Sequence, residues 1–538
     1  MNLFNLELQK LFQEKKYNEV IDKIENTVKA NERSAGLLNI LGVSRVLSFV
    51  KDASILDFAL INFEEAYNKE KNTQIGLDAL TNFINLFVQI FDRKKNFNNF
   101  EILEKKFEKI FKMIEEAESY FGYNHKFYLS IVKLCKRQNN IDKSIYYLKK
   151  IFENKNADKD TMCSYIYYNS FKYGWMQKDF LLKSKDLNSY CTLLNQNNLH
   201  QLNLKKNDKI RIGFLSSDIY KQHSVTHFLK TILNNYNKDK FEIYLYLNNK
   251  EEDNTSNYFQ NLAFKSQNLY HLSDIEVINL IRRDNIDVIF DLMVITSSNR
   301  LNLFKNRLAP NQISWLGYCN TSGLDEMDYI IADNNLIKKN EENLYSEKII
   351  FLKNIWSCHA GFDLPRKELV SPCLNKDQLT FGSFNNFNKI NDNVINVWST
   401  ILKKMDNAKL ILKSSLNIHI MHLQEKFDRH GVLDSVVFMK NEEFFENHLK
   451  MYENIDVALD TFPYNGVTTS FESIWMGVPV ITMEGFNFNS RCGESINRNI
   501  GMDYLVSKNE EEYISKVIQL GNDKKKLLEI RKKIFHNC

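Results

Sequence analysis

The stretch IDVALDTFPYNGVTTSFESIWMGVPVITM, residues 455–483, decides the fold, because it reads as strand, loop, helix and strand in turn. An apolar run opens it, and the run breaks at Pro463 and Gly466. The hydroxyl residues Thr468–Ser470 follow, and then the helical segment FESIWM and the apolar run VPVITM. Gly and Pro are scarce in this chain, with 17 and 5 among 538 residues, so their use here indicates a tightly shaped loop at the end of a buried strand.

Continuous apolar runs of the same kind recur from about residue 206 onwards, with helical segments between them. The predicted strands are KIRIGFLSSD (209–218), FEIYLYLNN (241–249), IDVIFDLM (286–293), QISWLGY (312–318), DYIIAD (328–333), LTFGSFNN (379–386), AKLILKSS (408–415), SVVFMK (435–440), IDVALDTF (455–462) and VPVITM (478–483). Such strands are typical of buried parallel sheets. The pattern predicts two Rossmann-like domains, residues 205–375 and 376–538, that face a cleft and bind ligands at the carboxyl ends of their strands.

Residues 1–204 follow a different pattern, with little Gly or Pro and apolar residues spaced by three and four. The segment 11–43 reads as helix, turn, helix, and the segment 127–155 repeats this around the polar turn RQNN. Both resemble degenerate tetratricopeptide units, and an irregular helical bundle is the alternative. Either arrangement predicts an interaction surface and not a reaction site.

Composition limits the function classes. The formal charge is 71 − 67 = +4, without a long basic run, which does not favour nucleic-acid binding. The eight cysteines are scattered without metal-binding spacing, which favours reduced thiols and no metal site. The amphipathic N-terminus lacks a signal peptide's apolar core, and no window is apolar enough for a membrane span. A cytoplasmic location is therefore expected.

The loop NGVTTS (465–470) is the first candidate site. It lies at the carboxyl end of a predicted strand and opens a helix, where backbone N–H groups and the helix dipole attract anions. Asn465, Gly466, Thr468 and Thr469 are therefore predicted to bind a diphosphate. The loop is not a Walker A motif, because no GK[ST] follows the glycine. Glu472 is predicted to accept hydrogen bonds from ribose hydroxyls, and the alternative is that it only caps its own helix.

Three further residues are candidates on sequence position, each with a structural alternative. Lys389 follows a strand end and could neutralise a leaving diphosphate, although a lone lysine is more often a surface charge. His223 and His227, spaced as a zinc-binding pair but without a third ligand, could be capping or core residues; a cleft-facing His223 could instead do acid–base work. His448, on the helical segment FFENHLKMYENI, could stack on a base or be structural.

Taken in order, these segments resemble the O-linked N-acetylglucosamine transferase and SPINDLY-like glycosyltransferases, including bacterial relatives. The resemblance covers roughly residues 205–535. The most specific segments are APNQISWLGYCNTSG and YENIDVALDTFPYNGVTTSFESIWMGVPVIT, supported by RIGFLSSD, HSVTH, MDYIIAD, YSEKIIFL and FGSFNNFNKI. The helical half takes the place of that family's tetratricopeptide region.

The resemblance implies a GT-B fold and metal-independent transfer of a sugar from a nucleotide diphosphate to protein side chains. By motif position, Lys389 would hold the diphosphate with help from Thr468 and Thr469. Asn386 matches a polar contact to the sugar donor. Glu472 matches an acidic ribose contact and His448 a histidine against the uracil, while His223 matches a histidine near the sugar and the acceptor hydroxyl.

Three departures from the family pattern stand out. Val294 and Ile295 stand where the family has Gly and then His or Tyr, before Thr296, which removes a polar ring from the predicted donor cleft. Val467 occupies a position where relatives carry Gly or His. The printed sequence stops at KKIFHNC, where relatives continue with a further helix.

The resulting expectation is a cytoplasmic enzyme that transfers GlcNAc from UDP-GlcNAc to Ser or Thr of a protein. The helical half would recruit the acceptor, for which a flagellin or another surface protein is a candidate. Glucosyl or fucosyl donors are the nearest variants, and transfer to a glycan or small molecule is a further alternative. The rival from another class is a GT-B scaffold without turnover that binds a protein partner.

Overall fold

A computed structural model gives the structure of the chain and describes residues 3–49, 54–93, 100–195, 197, 199–202, 207–221, 223–359, 361–362, 366, 370–376, 378–414, 417–440, 442 and 444–537. It divides into two compact units. Residues Met1–Ala157 with Leu416–His422 form the first, and Asp158–Ser415 with Leu423–Cys538 form the second. The division 1–204, 205–375 and 376–538 that the sequence suggests stays a prediction.

The first unit is built from helices. Their bounds are α1 Leu3–Gln13, α2 Tyr17–Thr27, α3 Ala35–Ser48, α4 Ser54–Lys69, α5 Gln74–Arg93, α6 Phe100–Tyr120, α7 His125–Gln138 and α8 Ile141–Glu153. The predicted turn RQNN covers the end of α7 and the residues that precede α8. Asn139 adopts a left-handed conformation (φ 60°) that ends α7, and the Asn140 side chain accepts from Lys143 N–H at 3.0 Å to begin α8.

The second unit begins with two helices, α9 Lys159–Asn169 and α10 Gln177–Asn188, and continues with a seven-stranded parallel sheet. Its strands are β1 Ile210–Ser216, β2 Phe241–Leu247, β3 Lys265–Asn268, β4 Val288–Asp291, β5 Asn311–Ser314, β6 Tyr329–Asp333 and β7 Lys348–Leu352. They lie in the order β3-β2-β1-β4-β5-β6-β7, and in the register Ile212 of β1 lies opposite Val288 of β4. The helices of this part are α11 Ser224–Asn235, α12 Asn254–Leu262, α13 Asp274–Arg283 and α14 Leu301–Lys305.

A six-stranded parallel sheet follows in the same unit. Its strands are β8 Leu379–Ser383, β9 Ala408–Ser414, β10 Val436–Lys440, β11 Val457–Leu459, β12 Val480–Met483 and β13 Val506–Ser507, in the order β10-β9-β8-β11-β12-β13. Its helices are α15 Asp392–Lys404, α17 Phe445–Lys450, α18 Thr468–Trp475, α19 Cys492–Asn499, α20 Glu510–Asn522 and α21 Lys524–Asn537. The helix α16 Asn417–Arg429 is divided, because its residues up to His422 belong to the first unit. Every residue of β8, β11 and β12 is buried, which is why these strands read as unbroken apolar runs.

The fold class predicted from the sequence is confirmed: a helical region is followed by two parallel Rossmann-like sheets. Both sheets reverse strand order at one place, between β1 and β4 and between β8 and β11. Such switch points open a crevice at the carboxyl ends of the strands, where doubly wound proteins bind ligands. Among the described residues, no helix is long and apolar enough to cross a membrane.

Candidate functional site

The segments predicted to bind a ligand follow the strands at the two switch points. The loop Asp460–Val467 follows β11, and the segment Phe384–Lys389 follows the neighbouring strand β8. The fold therefore brings the loop NGVTTS and Lys389 to one edge of the second sheet. In the first sheet, the segment that contains His223 follows β1 and the departure at Val294 follows β4.

Asp460 organises the loop after β11. Its Oδ1 accepts from the backbone N–H groups of Gly466, at 2.7 Å, and Thr461, at 2.9 Å, and its Oδ2 accepts from the Thr482 hydroxyl at 2.7 Å. Complete burial raises the pKa of this carboxyl to about 6, although these hydrogen bonds act in the opposite direction. The motifs described above do not single out Asp460. Its signal in the sequence is an acidic residue at the end of an apolar strand, six residues before a glycine.

Gly466 is required by the packing of the loop. A Cβ on this residue would lie 2.6 Å from Thr469 Oγ1 and 2.8 Å from Asn385 Oδ1, which is closer than real Cβ contacts. Asn465 is fully buried, and its side chain is engaged within the protein. Asn465 Nδ2 donates to Thr461 O at 2.9 Å, and its Oδ1 accepts from Gly493 N–H at 3.1 Å. The side chain of Asn465 thus holds the loop together.

Helix α18 begins at Thr468, whose backbone follows Val467 at the N-cap position. Val467 makes no side-chain cap, and Thr469 Oγ1 donates to Asn385 Oδ1 at 2.8 Å, which joins the start of α18 to the segment after β8. Thr468 is partly exposed. The N–H groups in the first turn of a helix lack partners within the helix, so the start of α18 can bind an anion.

Lys389 lies beside this loop, as predicted from the sequence. Its Nζ donates to Asn465 O at 2.7 Å and lies 4.5 Å from the centroid of the Tyr464 ring. Burial lowers the pKa of Lys389, and the Asp460 carboxylate opposes that shift. Asn386 is exposed, and its Oδ1 accepts from Asn388 N–H at 3.0 Å to cap the short 3₁₀ helix Phe387–Lys389.

Glu472 does not cap its helix, so that alternative from the sequence is wrong. Its Oε2 accepts from Tyr452 Oη at 2.9 Å and lies 2.8 Å from His448 Nε2. Burial raises the pKa of Glu472, but the hydrogen bonds from His448 and Tyr452, with the charge of Lys413, outweigh burial and leave that pKa lowered. Both His448 and Glu472 are buried, and the second carboxylate oxygen, Oε1, makes no hydrogen bond within the described part of the chain.

The ring of His448 has a second polar neighbour that the sequence did not reveal. Lys413 Nζ, at the end of β9, lies 2.9 Å from His448 Nδ1. Burial lowers the pKa of Lys413, while the Glu472 carboxylate raises it. The structure thus joins β9, α17 and α18 through one chain of hydrogen bonds, from Lys413 through His448 to Glu472.

His223 occupies the N-cap position of α11, which is the structural role considered from the sequence. Its Nδ1 accepts from Val225 N–H at 3.4 Å, and its Nε2 lies 3.9 Å from Asp218 Oδ1. The side chain is 44% exposed, so capping leaves part of the ring accessible. Burial raises the pKa of Asp218, although the charge of His223 lowers it.

His227 does not join His223 in a polar cluster. Its ring stacks on Phe445 of α17, with centroids 5.1 Å apart, and on His359, at 5.9 Å. A cavity of ≈ 1070 Å³ lies beside this stack and is lined in part by His227, Lys230, Tyr258, Phe445 and Asn447. Within the described part of the chain, no group of three or more His, Cys, Asp or Glu side chains is arranged to hold a metal ion.

The departure at residues 294–295 places apolar side chains at the end of β4. Val294 and Ile295 are buried, and Val294 has a positive φ of 54°. A β-branched residue rarely adopts this conformation, because its side chain collides with its own backbone. Asp291 holds the turn by accepting from Met293 N–H at 2.9 Å and Val294 N–H at 3.1 Å.

Known proteins are similar to this chain in fold and in sequence. A solved structure of a mutant O-GlcNAc transferase from Thermobaculum terrenum superposes with a TM-score of 0.75 at 23% identity, covering 90% of this chain and 89% of that chain. Two curated relatives, from Solanum lycopersicum and Arabidopsis thaliana, are each named "Probable UDP-N-acetylglucosamine--peptide N-acetylglucosaminyltransferase SPINDLY". They are 31% identical over 334 residues and 30% over 344 residues.

The extent of these matches differs. The SPINDLY alignments cover 60% and 61% of this chain but only 35% and 37% of the relatives, so the match spans about a third of their length. The family model described as "Glycosyl transferase family 41" matches residues 187–362 and 358–538, which include every site segment described above. The chain belongs to glycosyl transferase family 41.

Proposed function

We propose that the protein transfers a sugar, GlcNAc from UDP-GlcNAc, to Ser or Thr hydroxyls of a polypeptide. The observation that carries this proposal is the meeting of Lys389, the start of α18 and the Glu472–His448 pair at one switch point. In a member of family 41, a cationic group beside a helix start and a carboxylate beside a histidine match the two ends of a nucleotide sugar. The names of the SPINDLY relatives support the choice of sugar and acceptor.

The diphosphate would bind between Lys389 and the first turn of α18. The bond from the anomeric carbon to the β-phosphate oxygen breaks as the acceptor oxygen bonds to that carbon, so negative charge builds on the leaving UDP. The Lys389 ammonium and the unsatisfied N–H groups near Thr468 and Thr469 would stabilise this charge without moving. Gly466 permits the required close approach of the backbone, and Asn465 holds Lys389 in place through its carbonyl oxygen.

The nucleoside would bind beside α17 and α18. Glu472 Oε1 would accept from the ribose hydroxyls, because Oε2 is already engaged by His448 and Tyr452. The His448 ring would lie against the uracil, and Asn386, exposed after β8, would contact the sugar donor. A nucleotide bound in this way lies across the carboxyl ends of β8 and β11.

His223 would lie near the transferred sugar and the acceptor hydroxyl. Because its Nδ1 accepts from Val225 N–H, the neutral ring carries its proton on Nε2. In that tautomer Nε2 donates a hydrogen bond and cannot take the acceptor's proton. We therefore infer that His223 orients the reacting groups, and that the proton leaves to another base or to water. The helical half would present the polypeptide, for which a flagellin or other surface protein is a candidate.

Incubation with candidate sugar donors tests the proposal. The purified protein is mixed with UDP-GlcNAc, UDP-glucose or GDP-fucose and a lysate of its source cells, and peptides are examined by mass spectrometry. We expect an N-acetylhexosamine on Ser or Thr with UDP-GlcNAc. The Lys389→Ala variant should lose about 10²-fold or more in turnover while remaining folded.

A matched control separates the role of Lys389 from that of a surface charge. Lys404 lies at the end of α15 and is exposed, so Lys404→Ala should leave turnover unchanged. Equal activity of Lys389→Ala and the parent would remove Lys389 from the mechanism. Modification with UDP-glucose or GDP-fucose alone would change the sugar and keep the reaction class.

One observation favours a second candidate function, that of a nucleotide-binding scaffold without turnover. The end of β4 presents the buried apolar side chains of Val294 and Ile295. A cleft without a polar ring at this place would stabilise a transition state less well. UDP binding without modification by any of the three sugar donors would support the scaffold and contradict the enzyme.

A further inference from the structure

Lys413 has a place in the site that the proposed function does not use. It stands at the carboxyl end of β9, one strand away from the switch point, and its Nζ lies 2.9 Å from His448 Nδ1. The ring of Phe384 supports it, with its centroid 5.9 Å from the ammonium. Lys413 therefore reaches the ring of His448 from the side opposite Glu472.

This contact determines which nitrogen of His448 carries the proton. An ammonium group only donates hydrogen bonds, so His448 Nδ1 must accept from Lys413. A neutral imidazole with an accepting Nδ1 carries its proton on Nε2, which then donates to Glu472 Oε2 at 2.8 Å. The ring is therefore held at both nitrogens, in one tautomer and one orientation.

The same arrangement determines the orientation of Glu472. Its Oε2 is held by His448 and by Tyr452 Oη, which also lies 3.1 Å from Thr469 O, so Oε1 is directed away from both. Tyr452 remains protonated, because burial and the adjacent Glu472 raise its pKa well above the ordinary value. Without Lys413, the ring would be free to rotate, and Glu472 would lose a fixed partner.

We propose that Lys413 is a positioning residue for the sugar-donor site: it holds His448 in the neutral Nε2–H tautomer and thereby orients Glu472 toward the nucleoside. This inference rests on the proposed function, because it assumes that His448 and Glu472 contact the nucleoside. It adds a residue on β9, which contacts the ligand only through the His448 ring.

Other charged and titratable groups also lie around the ring of His448. From the elements packed against it, these groups are Lys413 on β9, Glu472 on α18, Tyr452 in the 3₁₀ helix Met451–Asn454, Glu446 and Lys450 on α17 itself, and His359 near Glu472. Glu446 and Lys450 pair with each other at 3.0 Å, and burial lowers the pKa of His359 to about 4.

Binding of UDP to Lys413→Met, measured by calorimetry between pH 6 and 8.5, tests the proposal. Relative to the parent at each pH, the variant should bind about tenfold more weakly, the loss of one charge-assisted hydrogen bond. Titration of UDP itself is common to both proteins and cancels in the ratio.

Two variants serve as controls. Lys413→Arg keeps a hydrogen-bond donor at this position and should bind UDP like the parent at every pH. Lys409 lies on the same face of β9, four residues earlier, and its Nζ donates to Asp434 O at 2.5 Å, so Lys409→Met should have no effect on UDP binding. A ratio for Lys413→Met that matches Lys409→Met would overturn the inference.

A second measurement needs no variant of Lys413. NMR of the protein labelled with ¹⁵N-histidine, with the His448 signals assigned by their loss in His448→Gln, should show the neutral Nε2–H form at pH 7.5. A charged ring or an Nδ1–H form would contradict the inference. Absence of UDP binding by the parent would overturn the proposed function and this inference together, whereas unaltered binding by Lys413→Met would overturn this inference alone.

Discussion

Gly466 and Asp460 shape the loop that follows β11, and the two residues act on the same few atoms. Asp460 Oδ1 accepts from the N–H of Gly466, and the Cα of Gly466 lies close to Thr469 and Asn385. The buried Asp460 carboxylate thus binds the backbone of the loop at Gly466, and the Thr469 hydroxyl and the Asn385 amide pack against the same residue. Both residues are therefore needed for the shape of the loop.

Gly466→Ala should damage the loop, because its Cβ would lie 2.6 Å from Thr469 Oγ1 and 2.8 Å from Asn385 Oδ1. Displacement of these groups should lower the free energy of unfolding by about 1–3 kcal/mol. The affinity for UDP should fall as well, since Thr469 lies in the first turn of α18. Chemical denaturation and calorimetry measure the two effects. Gly122→Ala is the control, because no atom lies within 4 Å of its added Cβ; equal behaviour of the two variants would refute the packing argument.

Asp460 should contribute to the pH dependence of stability. Its pKa of about 6 lies above that of an unfolded chain, so the folded protein holds the proton more tightly. The resulting stabilisation is present at low pH and is lost as pH rises through about 6. Between pH 5 and 7.5, the free energy of unfolding of the parent should fall by about 1 kcal/mol relative to Asp460→Asn. Urea unfolding at each pH measures this difference, and a difference that grows with pH would contradict the prediction.

At the scale of elements, α11, which follows β1 of the first sheet, contacts α17, which follows β10 of the second sheet. Aromatic rings make this contact. Phe445 of α17 stacks on His227 of α11 and lies 5.1 Å, centroid to centroid, from Phe362. Because α17 also carries His448, this packing supports the nucleoside side of the site. It therefore connects the position of a helix to the affinity for a ligand.

Phe445→Ala should loosen α17. We expect a loss of about 2 kcal/mol in the free energy of unfolding and a several-fold weaker affinity for UDP. The adjacent Phe444 is 68% exposed, so Phe444→Ala is a control of the same residue type on the same segment. Thermal and chemical unfolding with calorimetry would reveal a difference between the two variants. If both variants lost affinity equally, the stack would not explain the position of α17.

Strand positions show how far the sequence predicts the elements. All ten predicted strands are present, because all of them except β10 are interior strands that need continuous apolar residues. The strands β3, β7 and β13 were not predicted as strands, and each lies at the edge of its sheet. An edge strand pairs on one side only, so it tolerates polar residues, as in KSQN of β3, or can be two residues long, as β13 is.

The positions of the candidate site residues in the fold can be read from the sequence only in part. The position of Lys389 beside the loop NGVTTS follows from strand order and is readable from the sequence. The partners of Glu472 are not, because His448, Tyr452 and Lys413 meet it only through the packing of α17 and β9 against α18. A capping-box pattern was therefore ambiguous in the sequence and is resolved by tertiary contacts.

At the scale of the second unit, its two sheets are joined by partly buried ion pairs. Arg491, just before α19, makes two hydrogen bonds with Glu341 in the 3₁₀ helix Lys339–Leu344, at 2.5 and 2.9 Å. Lys338 adds a pair with the buried Glu494 at 3.2 Å. These contacts join the segment after β6 of the first sheet to the start of α19 in the second.

Glu341→Ala should leave the buried Arg491 guanidinium without its carboxylate. The expected cost is about 3 kcal/mol in the free energy of unfolding. Glu342, its exposed neighbour, provides the control, and Glu342→Ala should change stability by no more than about 0.5 kcal/mol. Chemical denaturation of both variants is the measurement. A neutral effect of Glu341→Ala would show that the pair does not hold the two sheets together.

The most direct test of the central claim is mass spectrometry of a lysate incubated with the purified protein and UDP-GlcNAc, with the Lys389→Ala variant in parallel. We expect N-acetylhexosamine on Ser or Thr of one or more polypeptides with the parent, and at least about 10²-fold less with the variant. Absence of modification by the parent with UDP-GlcNAc, UDP-glucose and GDP-fucose, while UDP still binds, would contradict the claim.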